Sequence, residues 1–232
     1  MIRLLSAVIL ALAATGAIVW LPLAGFQALV VLLVFLGLRE LTTLSGCKRS
    51  ESFIILILGV FHAAILLDRS QLSAYPTLIV ITLFILFLFY LWSKFDLQLI
   101  AQRLGFSLFA VLYLGTTLPA WAWIRELPQG RVFLLMAIAA ACLTDTFALI
   151  FGKTFGKHPF APHVSPKKTW EGFFGALVGA LVGSLFVWWF SFQDAFSPWY
   201  AVGFAGLIWM IAPAWDGPRP RKIFPPPTTM PT

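Results

Sequence analysis

The sequence predicts an all-α, polytopic integral membrane protein with about eight transmembrane helices and both termini in the cytoplasm. Of its 232 residues, 60% are hydrophobic and 11% are charged, whereas a soluble domain carries roughly 25% charged residues. The mean hydropathy is +0.93. Apolar runs recur at about the length that spans a bilayer. Because lipid offers no hydrogen bonds to the backbone, such runs are expected to form helices.

The chain contains eight apolar runs that are candidates for the spans. They cover residues 4–20, 22–38, 53–67, 74–92, 105–124, 132–150, 173–190 and 199–213. The first two runs are short and nearly continuous, with Pro22 and Gly25 at the turn between them. We interpret them as a hairpin of two retained spans, and the alternative for the first run is a cleaved signal peptide.

Glycines recur every four residues in the seventh run, at Gly175, Gly179 and Gly183. Residues four apart lie on one face of a helix. A stripe of small residues lets the backbone of a second helix approach closely. We therefore expect this face to pack against another span rather than to take part in chemistry.

The basic residues indicate the orientation in the membrane, because cytoplasmic loops are enriched in lysine and arginine. With the N-terminus in the cytoplasm, 13 of the 16 basic residues fall on the cytoplasmic side and three on the outer side. The cytoplasmic set is Arg3, Arg39, Lys48, Arg49, Lys94, Arg103, Lys153, Lys157, Lys167, Lys168, Arg219, Arg221 and Lys222, and the outer set is Arg69, Arg125 and Arg131. The net charge of +7 is thus explained without a nucleic-acid partner.

Residues 145–172 interrupt the apolar pattern and carry the reactive side chains. In this predicted cytoplasmic loop, Ser165 precedes Pro166, which disfavours a helical backbone at the serine. Proline suits the first position of a helix and serine the N-cap, so a helix is predicted to begin here. Lys167 and Lys168 would then share a face with Glu171. A helix N-terminus beside two lysines is a suitable site for a phosphate group.

The segments of this loop resemble the phosphatidate cytidylyltransferases, also called CDP-diacylglycerol synthases. The resemblance rests on Asp145–Gly152, on Gly152–His158 with its Gly-Lys-x-x-Gly-Lys-His pattern, and on Phe160–Gly172, which ends in Ser-Pro-Lys-Lys-Thr-Trp-Glu-Gly. Two positions depart from the family pattern: Phe147 replaces a glycine and Leu149 replaces an aromatic residue.

The resemblance implies transfer of a cytidylyl group from CTP to phosphatidic acid, giving CDP-diacylglycerol and pyrophosphate in phospholipid biosynthesis. It also implies Mg²⁺ or another divalent cation, membrane lipids as partners, a homodimer as one assembly, and a multi-pass location in the bacterial inner membrane. The implied catalytic residues are Lys168, Asp145 and Glu171, with Asp145 also the metal ligand. The implied substrate-binding residues are Ser165, Pro166, Lys167, Thr169, Lys153, Lys157 and His158.

Structural roles compete with these assignments. The lysines could contact anionic lipid. Glu171 could pair with Lys167 or Lys168 on a helix surface, or it could position Lys168 or a metal. Asp145 could serve as a cap near the membrane interface, although carboxylates at membrane depth are usually functional.

The expected domains are a transmembrane domain, residues 1–214, and a Pro-rich tail, residues 215–232, that has no core to join. The family's C-terminal signature, with its Gly-Asp, His-Gly-Gly and Asp-Arg-x-Asp segments, has no counterpart in the sequence. One alternative is therefore a truncated or degenerate non-catalytic relative, with little activity of its own. A second is a transporter of a phosphorylated metabolite, which would predict inverted repeats that the two halves do not show.

Overall fold

The computed structural model describes residues 2–93, 97–161, 165–191 and 196–211. In these residues the chain is almost entirely helical, which confirms the predicted fold class. The helices are α1 (Ile2–Trp20), α2 (Leu23–Leu44), α3 (Arg49–Leu67), α4 (Tyr75–Leu91), α5 (Leu97–Glu126), α6 (Gly130–Thr154), α7 (Trp170–Phe190) and α8 (Pro198–Ile211). A short 3-10 helix (Arg69–Ala74) precedes α4, and two strands, β1 (Pro159–Ala161) and β2 (Ser165–Thr169), lie between α6 and α7.

Each of the eight predicted runs coincides with one helix. Six helices of the described chain, α2 to α7, are long and apolar enough to cross a membrane, α4 only together with the 3-10 helix that precedes it. The apolar parts of α1 and α8 are shorter. The chain is therefore a multi-pass membrane protein, while the eight crossings and the cytoplasmic termini stay predictions. The predicted tail, 215–232, lies outside the described residues.

Several helices extend further than predicted, and α5 and α6 are two of them. Helix α5 begins at Leu97 instead of residue 105, and α6 continues to Thr154 instead of ending at 150. Gly152 and Lys153, which were expected in a loop, therefore form part of the last turn of α6. Lys153 suits this position because a cation is favourable near the negative end of the helix dipole.

The helices belong to two compact units. One unit holds α1, α6, both strands, α7 and α8, and the other holds α2, α3, α4 and α5 up to Trp123. The second unit has an apolar core that includes Val34, Leu38, Ile55 and Leu86.

A buried polar network connects α3, α4 and α5 inside the second unit. The Arg103 guanidinium contacts the Glu51 carboxylate at 2.6 Å, and both side chains are almost fully buried. The Tyr90 hydroxyl donates to Glu51 Oε1 at 3.1 Å and lies 2.8 Å from Ser107 Oγ. The sequence placed Arg103 in a cytoplasmic loop and missed this network, because the partners are 17 to 52 residues apart.

The first unit is built on the close packing of α6 against α7, which confirms the expected role of the glycine stripe. A Cβ atom added to Gly183 would lie 2.7 Å from the backbone carbon and oxygen of Ala139. A Cβ on Gly175 would lie 2.5 Å from the Cβ of Phe151. Because α7 presents no side chains along this line, the C-terminal part of α6 can meet the start of α7.

Candidate active site

The start of α7 differs from the sequence prediction. Helix α7 begins at Trp170, and its N-cap is Thr169, whose Oγ1 accepts a hydrogen bond from the Gly172 amide at 3.2 Å. The prediction that Ser165 caps a helix beginning at Pro166 is therefore wrong. Both residues lie in β2, which pairs with β1 in an antiparallel hairpin.

The hairpin explains why the earlier helix start is not used. Its pairs are Pro159 with Thr169 and Ala161 with Ser165, so the register shifts between them. Pro166 lies in the shifted part of β2, where a residue without an N–H is tolerated. Threonine is favoured both in strands and at N-caps, so Thr169 can end the strand and begin the helix.

The two adjacent lysines consequently occupy the strand and not the helix. The prediction that Lys167 and Lys168 share a helix face with Glu171 is wrong for the same reason. Lys168 is half-buried and directly precedes the cap residue. Of Ser165, Pro166 and Lys167 the structure describes the backbone only.

Amides at the start of α7 donate hydrogen bonds within the protein. The Trp170 amide donates to the His158 carbonyl oxygen at 3.0 Å, and the Gly172 amide donates to Thr169. Two of the first amides of α7 therefore already have acceptors, and the predicted phosphate site at this helix start stays a prediction. The lysines around the helix start are further groups able to bind an anion.

Three glycines of the motif meet at Thr169. A Cβ atom would approach its Oγ1 to 2.9 Å from Gly156, to 3.2 Å from Gly172 and to 3.4 Å from Gly152. The end of α6, the loop after it and the start of α7 can thus converge only where the side chains are absent. Three lysines directly adjoin these converging residues in the sequence: Lys153, Lys157 and Lys168.

Glu171 has a partner that the sequence did not predict. Its Oε1 lies 2.7 Å from Nδ1 of His158, and its Oε2 accepts from the His158 backbone amide at 3.4 Å. The histidine side chain is 76% exposed and the glutamate side chain 23% exposed. The glutamate therefore fixes the loop after α6 to the first turn of α7, while most of the imidazole ring stays exposed.

Asp145 is exposed on α6 and lies seven residues before Gly152. Seven residues are about two helical turns, or roughly 10 Å along the axis, so the two lie on one face. Within the described residues, no group of three or more His, Cys, Asp or Glu side chains could hold a metal ion. A single carboxylate fits Mg²⁺ only where substrate phosphates and water complete the coordination.

An aromatic layer attaches the hairpin to the helices. The Phe160 ring packs on Trp170 and Phe173, with centroid distances of 4.7 and 5.0 Å. Phe173 in turn packs on Trp209 at 4.6 Å, and Trp209 Nε1 donates to the Phe173 carbonyl oxygen at 2.8 Å. Sequence reasoning missed these contacts, although the density of aromatic residues from 170 to 174 was a visible signal.

Comparison with known proteins agrees with the motif. Residues 1–216 match the model of the Cytidylyltransferase family. The chain is 30% identical over 169 residues to a phosphatidate cytidylyltransferase of Aquifex aeolicus, an alignment that covers 73% of the chain and 58% of the relative. It is 40% identical over 78 residues to phosphatidate cytidylyltransferases of Staphylococcus haemolyticus and Staphylococcus aureus, covering 34% of the chain and 29% of each relative. The chain therefore spans less than two thirds of the length of these relatives. The match over nearly its whole length shows that the chain belongs to the cytidylyltransferase family.

Proposed function

We propose that this protein transfers the cytidylyl group of CTP to phosphatidic acid, giving CDP-diacylglycerol and pyrophosphate. The observation that carries the proposal is the convergence of Gly152, Gly156 and Gly172 on Thr169. This convergence brings together the chain segments that bear Lys153, Lys157 and Lys168. The names of the bacterial relatives support the choice of substrates.

The chemistry requires little beyond charge neutralisation and alignment. A phosphate oxygen of phosphatidic acid attacks the α-phosphorus of CTP, and the bond to the bridging oxygen of the β-phosphate breaks. The attacking oxygen is already anionic, so no base has to remove a proton from it. Both reactants are polyanions, and fixed positive charge therefore lowers the barrier to their approach.

The lysines are suited to this role. Each carries a compact positive charge on a flexible stem, which can follow a phosphate as it moves. Lys153 and Lys157 are exposed, and Lys168 is half-buried beside the Thr169 cap. Lys168 is therefore the best placed of the three to hold one phosphate in a fixed position.

The position of the site relative to the apolar helices suits one lipid and one water-soluble substrate. The lysines lie at the end of α6 and before the start of α7, both of which are long enough to cross a membrane. The phosphate of a lipid would lie at this level, and CTP would enter from the aqueous side. The bacterial relatives support a location in the inner membrane. Asp145, with the nucleotide phosphates, would hold Mg²⁺, which would supply further neutralisation of charge.

The proposal is tested by turnover of purified protein in nanodiscs that contain phosphatidic acid, with CTP labelled at the α-phosphate. We expect labelled CDP-diacylglycerol and pyrophosphate in equal amounts, dependent on both substrates. Lys168→Ala should reduce kcat/KM by about tenfold or more, since charge-assisted hydrogen bonds are worth about 1.5–3 kcal/mol.

The matched control is Arg49→Ala, which removes an exposed cation from the other unit. Its kcat/KM should stay within about twofold of the unsubstituted protein, since Arg49 lies outside the motif and salt screens the charge of an exposed cation. Absence of labelled product from the unsubstituted protein would contradict the proposed function. Equal losses of kcat/KM in both variants would indicate that the lysines only make general contacts with anionic lipid.

A further inference from the structure

We infer that Glu171 is a positioning residue that holds the His158 ring so that Nε2 faces a phosphate group of a substrate. The inference rests on the proposed function only for the identity of the phosphate-bearing molecule. In this inference the histidine contacts the ligand directly, and the glutamate acts only by orienting the histidine.

The first support is the number of contacts that fix Glu171. One oxygen bonds Nδ1 of His158 at 2.7 Å, and the other accepts from the His158 amide. The positive end of the helix dipole at the start of α7 favours the ionised carboxylate. Glu171 is therefore a rigid anionic support at the base of the loop.

The second support is the exposure of the ring that Glu171 holds. The backbone of His158 is also anchored, since its carbonyl oxygen accepts from the Trp170 amide at 3.0 Å. Yet 76% of the histidine side chain is exposed. Ordering an exposed side chain loses rotamer entropy without gaining burial. Such an arrangement is typical of a group that is held ready for a ligand.

The chemistry of the ring fits an oxyanion. With Nδ1 directed at the carboxylate, Nε2 is the nitrogen left for a second partner. In the imidazolium form both nitrogens donate, so Nε2 can donate to a phosphate oxygen while Nδ1 donates to Glu171. The glutamate itself would repel a phosphate. Its place among Lys153, Lys157 and Lys168 is therefore explained by its action on His158.

The competing explanation is that Glu171 only caps α7. The two explanations make different predictions. A cap affects stability whether or not His158 is present, whereas a positioning residue affects ligand binding only while His158 is present. Near-isosteric variants of His158 allow this comparison. Asparagine places an amide nitrogen near Nδ1 and nothing at Nε2, and glutamine places one near Nε2.

The experiment measures CTP affinity by direct titration in nanodiscs, and KM and kcat for CTP and phosphatidic acid separately. We expect His158→Asn to weaken phosphate binding about tenfold, and His158→Gln to recover part of the loss. Glu171→Gln should weaken binding in the unsubstituted protein and have no further effect in the His158→Asn background. A rise in the KM for CTP alone would identify the nucleotide as the ligand, and a rise for phosphatidic acid alone the lipid headgroup.

The outcomes distinguish this inference from the proposed function. The inference is overturned if Glu171→Gln weakens binding equally with and without His158→Asn, or if the His158→Asn variant binds both substrates normally. The proposed function still holds in that case, provided that the unsubstituted protein turns over. If the unsubstituted protein binds CTP through His158 but forms no CDP-diacylglycerol, the inference stands and the proposed function fails. If it binds neither CTP nor phosphatidic acid and forms no product, both fail. The melting temperature of each variant shows that it is folded.

Discussion

At the scale of single residues, Thr169 takes the role that the sequence assigned to Ser165. Both are favoured N-cap residues, so their local preferences do not decide between them. The pairing of β1 with β2 decides, because it includes Ser165–Thr169 in the strand. The helix can begin only where that pairing ends.

The contribution of the Thr169 hydroxyl to stability can be tested by substitutions that change the side-chain volume very little. Thr169→Val should lower the free energy of unfolding by about 0.5–2 kcal/mol, because the Gly172 amide loses its acceptor. Thr169→Ser should lower it less, since the acceptor remains. Thermal unfolding in a fixed detergent measures both variants. A valine variant as stable as the serine variant would show that the cap bond contributes nothing.

The buried pair of Glu51 and Arg103 is a second feature at this scale. Glu51 Oε2 also accepts from the Lys48 amide at 2.6 Å, so one carboxylate caps α3 and pairs with α5. Removing one member of a buried ion pair leaves the other charge without compensation in a poorly solvated place. Loss of either partner alone is therefore expected to destabilise the protein.

We expect Glu51→Ala to destabilise the protein by about 3–5 kcal/mol. The matched control, Glu40→Ala, removes an exposed carboxylate from α2 and should change stability by less than about 0.5 kcal/mol. Adding Arg103→Met to Glu51→Ala should recover part of the loss, because the unpaired charge is then absent. Equal unfolding midpoints for the two alanine variants would contradict the buried role of Glu51.

At the scale of elements, the contact of α6 with α7 sets the site. The small residues of α7 allow the two helix backbones to touch, and this contact brings Gly152 of α6 to the start of α7. Within a lipid environment, such close packing supplies much of the attraction between helices. Separation of the helices would therefore move Lys153 away from Lys168.

Gly183→Ala tests this packing at a position remote from the lysines. The added methyl would lie 2.7 Å from backbone atoms of Ala139, and overpacking of this kind destabilises by about 1–3 kcal/mol. Gly203→Ala on α8 is the control, since nothing lies within 4 Å of its added Cβ. The expected result is a lower melting temperature and lower activity for the first variant only. Unchanged stability of Gly183→Ala would show that α6 and α7 do not pack this closely.

At the scale of the whole molecule, the charge distribution predicts the side on which each loop lies. Ser70 lies at the start of the candidate span Arg69–Leu91, and Phe155 directly follows α6, so three candidate spans separate the two residues. An odd number of crossings places the two residues on opposite sides of the membrane. The distribution of basic residues predicts that Phe155 and its neighbouring lysines lie on the cytoplasmic side.

Single cysteines at Ser70 and Phe155, introduced after replacement of Cys47 and Cys142, test this arrangement in intact cells. Both positions are exposed. A membrane-impermeant reagent should label Ser70→Cys from outside, and Phe155→Cys only after permeabilisation. A reporter fused after Thr232 should lie on the side of Phe155 if α7 and α8 both cross. Labelling of both cysteines from one side would refute the topology.

The sequence by itself determined the class of protein and located the eight α-helices of the described chain, although several of their ends were misplaced. The physical reason is that a span in lipid must satisfy its own backbone hydrogen bonds. Hydrophobic length alone therefore reveals each helix. The glycine stripe of α7 was equally readable, because helical periodicity is a local property.

Only the tertiary structure decided which side chains meet. It moved the start of α7 from Pro166 to Trp170, gave Glu171 the partner His158 in place of a lysine, and paired Glu51 with Arg103. Each of these outcomes joins residues that are distant in sequence or chooses between two equally good local signals. Packing and strand pairing make that choice, and neither is encoded in the preferences of a single segment.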